Sequence, residues 1–203
     1  MTGPSYDVLA SQEVYAGRVI SLRRDTVRMP EGGSAVREVV AHLGAVGVVA
    51  LDEQGRVLLL RQYRHPVGAY LLELPAGLLD IEDEPASTAA ARELAEEAGL
   101  TAGRWDVLVD AHASPGMSDE AYRVFLARDL GVLAVRPALE HEELDLSAVW
   151  LPLEEAVERV LAGGITNAMA VIGVLAAAQA VGQGMAGLRG TGAPWPARPT
   201  HPG

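Results

Sequence analysis

The chain has no cysteine among its 203 residues and no lysine, so all 16 basic residues are arginine. Without cysteine there is no disulfide and no thiolate for a metal, which suits a reducing compartment and points to the cytoplasm. Without lysine, Schiff-base chemistry and a lysine phosphate clamp are excluded. Positive charge is scarce: 16 basic against 27 acidic residues give a net charge of −11, with no basic cluster. Phosphate contacts dominate nucleic-acid affinity, so a nucleic-acid partner is not expected. Long apolar runs are missing as well. The longest, residues 168–181, contains Gly173 and Gln179 and falls short of the ~18 residues that a spanning helix needs. The first 17 residues lack a basic stretch followed by an apolar one, so no secretion signal and no membrane association are expected.

What remains is ordinary globular composition, 49% hydrophobic and 21% charged. Residues 18–29 and 36–51 are rich in Val, Ile and Leu and read as strands divided by the PEGGS turn at 30–34. A DEQG turn at 52–55 leads into RVLLLRQY at 56–63, and 70–74 reads as a short strand closed by Pro75. The period then changes: alanine-rich 86–98 reads as a helix stopped by Gly99. Strand-like 105–112 and 121–127 follow, joined by ASPGMSDE, and then a strand ending at Trp150. Helices are expected at 153–161 and 168–181, the latter capped by Thr166 or Asn167. This order predicts a mixed α/β (α+β) fold. The expected organisation is an N-terminal strand region at 1–42, a main domain at 43–182 and, from its Gly/Pro content, a disordered tail at 183–203.

The chemistry concentrates in LPAGLLDIEDEPASTAAARELAEEAGL, residues 74–100. Glu93, Glu96 and Glu97 stand at i, i+3 and i+4, so three carboxylates project from one helical face, where like charges repel. A solvated acidic face would explain them, but Glu84 adds a fourth carboxylate just ahead of the helix, and Gly77 stands in a turn after Pro75. A turn that aims a backbone carbonyl at several carboxylates makes an all-oxygen site for Mg²⁺ or Mn²⁺. An acidic protein acting on a phosphorylated small molecule also needs a cation between the two negative partners.

Gly77, Glu84 and the run Arg92-Glu93-Leu94-Ala95-Glu96-Glu97-Ala98-Gly99-Leu100 resemble the Nudix box, whose second half is matched at every defined position. One departure is an extra residue: six, not five, separate Gly77 from Glu84, and Asp83 takes the five-residue spacing. The resemblance implies an α/β/α sandwich with a mixed sheet, preceded by the antiparallel N-terminal strands. It implies hydrolysis of a nucleoside diphosphate linked to another moiety. It also implies Glu93, Glu96, Glu97 and the Ala76 carbonyl as metal ligands, with Arg92 orienting the glutamates.

Flanking features resemble ADP-ribose pyrophosphatases of actinobacterial type: LPAGLLD at 74–80, Pro115 fifteen residues beyond Leu100 with Gly116 beside it, and Arg61-Gln62-Tyr63-Arg64. That resemblance implies ADP-ribose as substrate, cleaved to AMP and ribose 5-phosphate. Arg64, Arg37 and Gly116 are then the expected substrate contacts. Another nucleotide sugar, a dinucleotide, or a non-catalytic ADP-ribose-binding module are the alternatives. Relatives with this architecture form homodimers, for which residues 18–40 are the expected arm. The expected general base lies in the acidic loop Glu140-His141-Glu142-Glu143, with Glu142 first choice, also touching metal, and Glu140 or Glu143 as alternatives.

Overall fold

The computed structural model describes residues 6–135 and 145–199. Three strands open the chain as an antiparallel sheet: β1 (Val8–Ala16), β2 (Ile20–Arg28) and β3 (Ser34–His42), in that order. β1 was not anticipated. All nine of its residues are exposed, so no inward face imposes the alternation that betrays a strand. The apolar stretch read as one strand over 36–51 is two. Gly44, at φ +79°, turns the chain between β3 and β4 (Ala45–Ala50), a left-handed conformation that suits glycine.

The body has two sheets. One runs β10–β5–β6, formed by Ser147–Pro152, Arg56–Arg64 and Ala69–Glu73. The other runs β7–β4–β9–β8, formed by Ala76–Leu78, Ala45–Ala50, Ala121–Val132 and Leu100–His112. It is mixed, because β4 pairs parallel with β9 and antiparallel with β7. All six residues of β4 are buried, and they divide by period two. Val46, Val48 and Ala50 join the cluster around α1 (Ala86–Ala98), with Leu94 and Phe125. Ala45 and Val49 join the opposite cluster, with Val174 and Ala177 of α3 (Ala168–Gly182) and Ala156 of α2 (Leu153–Leu161). Helix α1 on one face and α3 on the other make the expected α/β/α layering.

The helix ends follow their local chemistry. Gly99 closes α1 in the left-handed region at φ +67°, and Asn167 caps α3 by accepting from the Ala170 amide at 2.9 Å. No helix among the described residues is long and apolar enough to cross a membrane. The tail departs from expectation. Residues 189–199 are ordered against the α1 face: Ala193 and Trp195 pack on its core cluster, and Arg123 donates to the Ala193 and Pro194 carbonyls at 2.8 and 2.9 Å. Glycine and proline set local stiffness; these distant contacts, some 70 residues away in sequence, decide the outcome.

Candidate active site

The site is built where β7 lies along α1. β7 is pinned to β4 through Val46–Gly77 and Gly47–Ala76 pairing, and the Pro75 carbonyl accepts from the Val48 amide at 2.8 Å. Leu94, Ala89 and Ala90 anchor α1 in the core, and this orientation sends Glu93 and Glu97 inward at only 9% and 8% exposure. A buried carboxylate needs donors. Glu97 accepts from the Ala76 amide at 2.9 Å, which ties the helix to the LPAG turn. Glu93 lies directly over Gly77: a Cβ there would stand 2.0 Å from Glu93 Oε1. Glycine is therefore required at 77 by close approach and not by its φ.

Arg92 gathers the remaining carboxylates. Its Nη1 donates to Glu93 Oε1 at 2.6 Å and to Glu96 Oε2 at 3.2 Å, while Nε and Nη2 donate to the two Glu84 oxygens at 3.3 and 3.2 Å. The Glu84 hydrogen bonds, with the charges of Glu93 and Glu84, raise the Arg92 pKa further above its ordinary value, so it stays a cation. The extra loop residue is absorbed at Asp83, which takes a left-handed conformation at φ +58°. Glu84, and not Asp83, consequently reaches Arg92. Among the described residues no three His, Asp or Glu side chains form a group poised to hold a metal ion; Glu84, Glu93 and Glu96 bond Arg92, and Glu97 bonds the Ala76 amide.

Beside this cluster opens a cleft of about 620 Å³ whose lining includes Ala76, Gly77, Arg64, Glu73, His42 and Tyr122. Arg64, expected as a substrate contact, does face it. The role of Glu73 was not foreseen: it is buried at 3% exposure and receives Arg64 in a two-pronged ion pair, Nε to both oxygens at 3.1 Å and Nη2 at 2.7 Å. The signal was available, since Glu73 is the lone charge in the apolar run 69–79. Arg37 and Gly116 are not among the residues lining the cleft. Arg37 is exposed on β3 and donates to the Val36 carbonyl at 2.9 Å, and space around Gly116 is open to 4 Å. Ala113 and Glu120, from the same loop as Gly116, do line the cleft. Glu140, Glu142 and Glu143 lie outside the described residues.

Comparison with known proteins agrees with this geometry. The NUDIX domain matches residues 41–170, and the nucleoside diphosphate sugar hydrolase N-terminal domain matches residues 6–40. An ADP-ribose pyrophosphatase of Mycobacterium tuberculosis is 48% identical over 200 residues, which is 98% of this chain and 96% of that protein. One from Bacillus subtilis is 37% identical, over 75% of this chain and 81% of that protein. Among solved structures, an ADP compounds hydrolase superposes with a TM-score of 0.76 over 91% of this chain and 100% of that one, at 21% identity. Sequence, fold and the carboxylate cluster on α1 together place the chain in the Nudix family, as a metal-dependent pyrophosphohydrolase.

Proposed function

We propose that the protein hydrolyses ADP-ribose to AMP and ribose 5-phosphate with Mg²⁺. The observation that carries this reading is one cleft lined by the Glu73-held Arg64 and by Ala76 and Gly77, the two β7 residues against which the α1 carboxylates Glu97 and Glu93 rest. The near-full-length similarity to one protein named ADP-ribose pyrophosphatase, and similarity over 75% of the chain to another, support the substrate. The donor set fits a hard divalent cation, being all oxygen, with Gly77 leaving room for the Glu93 carboxylate. Glu93, Glu96, Glu97, Glu142 and the Ala76 carbonyl are the groups that would hold it. Bound there, the cation supplies charge neutralisation for the pyrophosphate and a lowered pKa for water.

The chain's own residues do the rest. Arg64 binds substrate oxygen, and Glu73 fixes its guanidinium plane before substrate arrives. Arg92 spaces Glu84, Glu93 and Glu96 against their mutual repulsion. Glu142 takes the proton from the attacking water. The intact set Glu84, Glu93, Glu96 and Glu97 favours an enzyme over a non-catalytic binding module. GDP-mannose pyrophosphatases at 30% and 31% identity make a nucleotide sugar the second reading.

We further propose a cytoplasmic homodimer. β1 is exposed along its length, with Val8, Leu9, Val14 and Tyr15 between 48% and 58% exposed, an apolar strip that a second copy would cover. In that assembly Arg37, on the same sheet, would serve the substrate pocket. Light scattering at micromolar concentration tests this, and a fully active monomer would end it. For the substrate, kcat/KM on ADP-ribose should exceed that on GDP-mannose and on a diadenosine polyphosphate; a higher value for either competitor would replace the assignment.

A further inference from the structure

The segment beyond α3 does more than cover apolar surface. It starts at β8, where the Arg189 carbonyl accepts from the Val107 amide at 2.7 Å and its guanidinium meets Asp110 at 2.8 Å. It then passes over β9. There Arg123, whose side chain is 3% exposed, bonds Asp110 through Nε and Nη2 at 2.7 and 3.0 Å. The same guanidinium donates to the Ala193 and Pro194 carbonyls and lies 5.0 Å from the Trp195 ring centre. Undocking the segment would strand two donor groups of a buried cation, so it stays in place.

Its far end meets the close of the loop that delivers Glu84 and, at the other side, Gly44, the residue to which the loop's start is bonded. At the loop's close, Arg198 Nη2 donates to the Glu84 carbonyl at 3.2 Å. At its start, the Leu79 amide donates to the Gly44 carbonyl at 3.1 Å, and the Pro199 ring packs on Gly44, 3.1 Å from where a Cβ would stand. The loop between holds the extra residue, with Asp83 in the left-handed region and one turn bond, Glu84 amide to Ile81 carbonyl, at 3.3 Å. A longer loop with a disfavoured residue needs external support to present one conformation.

We infer that residues 189–199 form a positioning strap of the catalytic box, bracing the lengthened 79–84 loop so that the Glu84 carboxylate meets Arg92. The inference rests on the reading of the Arg92 cluster as the catalytic apparatus. The strap touches no substrate; it acts through Glu84.

The test uses the full chain with Trp195→Ala, Trp195→Phe and Arg198→Ala, alone and in a Glu84→Gln background. Two readouts are amide hydrogen exchange in residues 79–87 and steady-state kinetics on ADP-ribose with Mg²⁺. Trp195→Ala should speed exchange there about tenfold while β4 stays protected, and Arg198→Ala about threefold. kcat should fall by similar factors with KM within about twofold, and Trp195→Phe should restore both. In the Glu84→Gln background, neither strap variant should lower kcat further. Unchanged exchange in 79–87, or losses that multiply in that background, would overturn the strap. If Trp195→Ala does not fold, the exposed Arg198 decides alone. Failure of the wild type to cleave ADP-ribose would instead remove the substrate assignment, and the exchange measurement would still judge the strap.

Discussion

Gly77→Ala separates the fold from the site. The glycine's φ lies outside the left-handed region, so alanine is allowed by the backbone and should even favour folding by about 0.4–1 kcal/mol through the unfolded chain. The obstacle is Glu93, whose Oε1, Cδ and Cγ would stand 2.0, 2.1 and 2.6 Å from the new methyl. These atoms form the far end of a flexible side chain, so the clash is relieved by moving the carboxylate and not the strand. Reaching an ordinary contact of about 3.4 Å requires a shift of roughly 1.4 Å, the difference from 2.0 Å. That shift breaks the 2.6 Å bond to Arg92. Misplacement of about 1 Å at a catalytic group costs on the order of 100-fold in rate. Gly77→Ala should therefore melt within a few degrees of wild type, while kcat/KM falls about 100-fold. Gly116→Ala, where space is open, is the control for alanine itself and should melt at the wild-type temperature or a few degrees above it. Wild-type kcat in Gly77→Ala, or loss of the fold, would refute the reasoning.

Other outcomes follow from single contacts. Glu73→Gln should raise KM about tenfold with kcat within threefold, because Arg64 loses its orienting charge. As Arg64 is 42% exposed, the stability cost should be only about 1 kcal/mol, read by urea unfolding; an unchanged KM would end the role given to Arg64. Asp25, nearly buried between β1 and β2, is held below its ordinary pKa by the Ser11 hydroxyl first and Arg23 after it. Its folded-state pKa is lowered, so its stabilisation is full above about pH 4 and is lost as pH falls through the folded value. Asp25→Asn should flatten the decline of melting temperature between about pH 5 and pH 3, and an equally steep decline would count against it. Glu142→Gln should lower kcat by about 100-fold or more and remove the acidic limb of its pH profile; a wild-type profile would pass the role to Glu140 or Glu143.

What could be read before folding depended on how local each determinant is. Helices α1 and α2 carry their limits in their own residues: alanine and leucine spacing inside and, for α1, Gly99 after. α3 begins at its Asn167 cap. The box was legible for the same reason, since i, i+3, i+4 spacing fixes which carboxylates share a face. β1 was hidden because a strand with no buried side shows no alternation. The break between β3 and β4 sits at one glycine inside an apolar run. The tail and Glu73 lie at the other extreme. Arg123 holds carbonyls some 70 residues away, and Glu73, though it stands out as the lone charge of its apolar run, meets Arg64 across a strand pair, so neither partner is announced by its neighbours. Asp83 is intermediate: the spacing revealed an extra residue, but only the left-handed turn shows that Glu84 keeps its place at Arg92.

The most direct test of the account is product analysis after incubating the purified protein with ADP-ribose, in Mg²⁺ and in excess EDTA, beside Glu97→Gln. The account predicts AMP and ribose 5-phosphate in equal amounts with Mg²⁺, and intact ADP-ribose both in EDTA and in the folded Glu97→Gln variant. Equal turnover with and without EDTA, or uncleaved ADP-ribose in Mg²⁺ while another nucleoside diphosphate derivative is split, would contradict it.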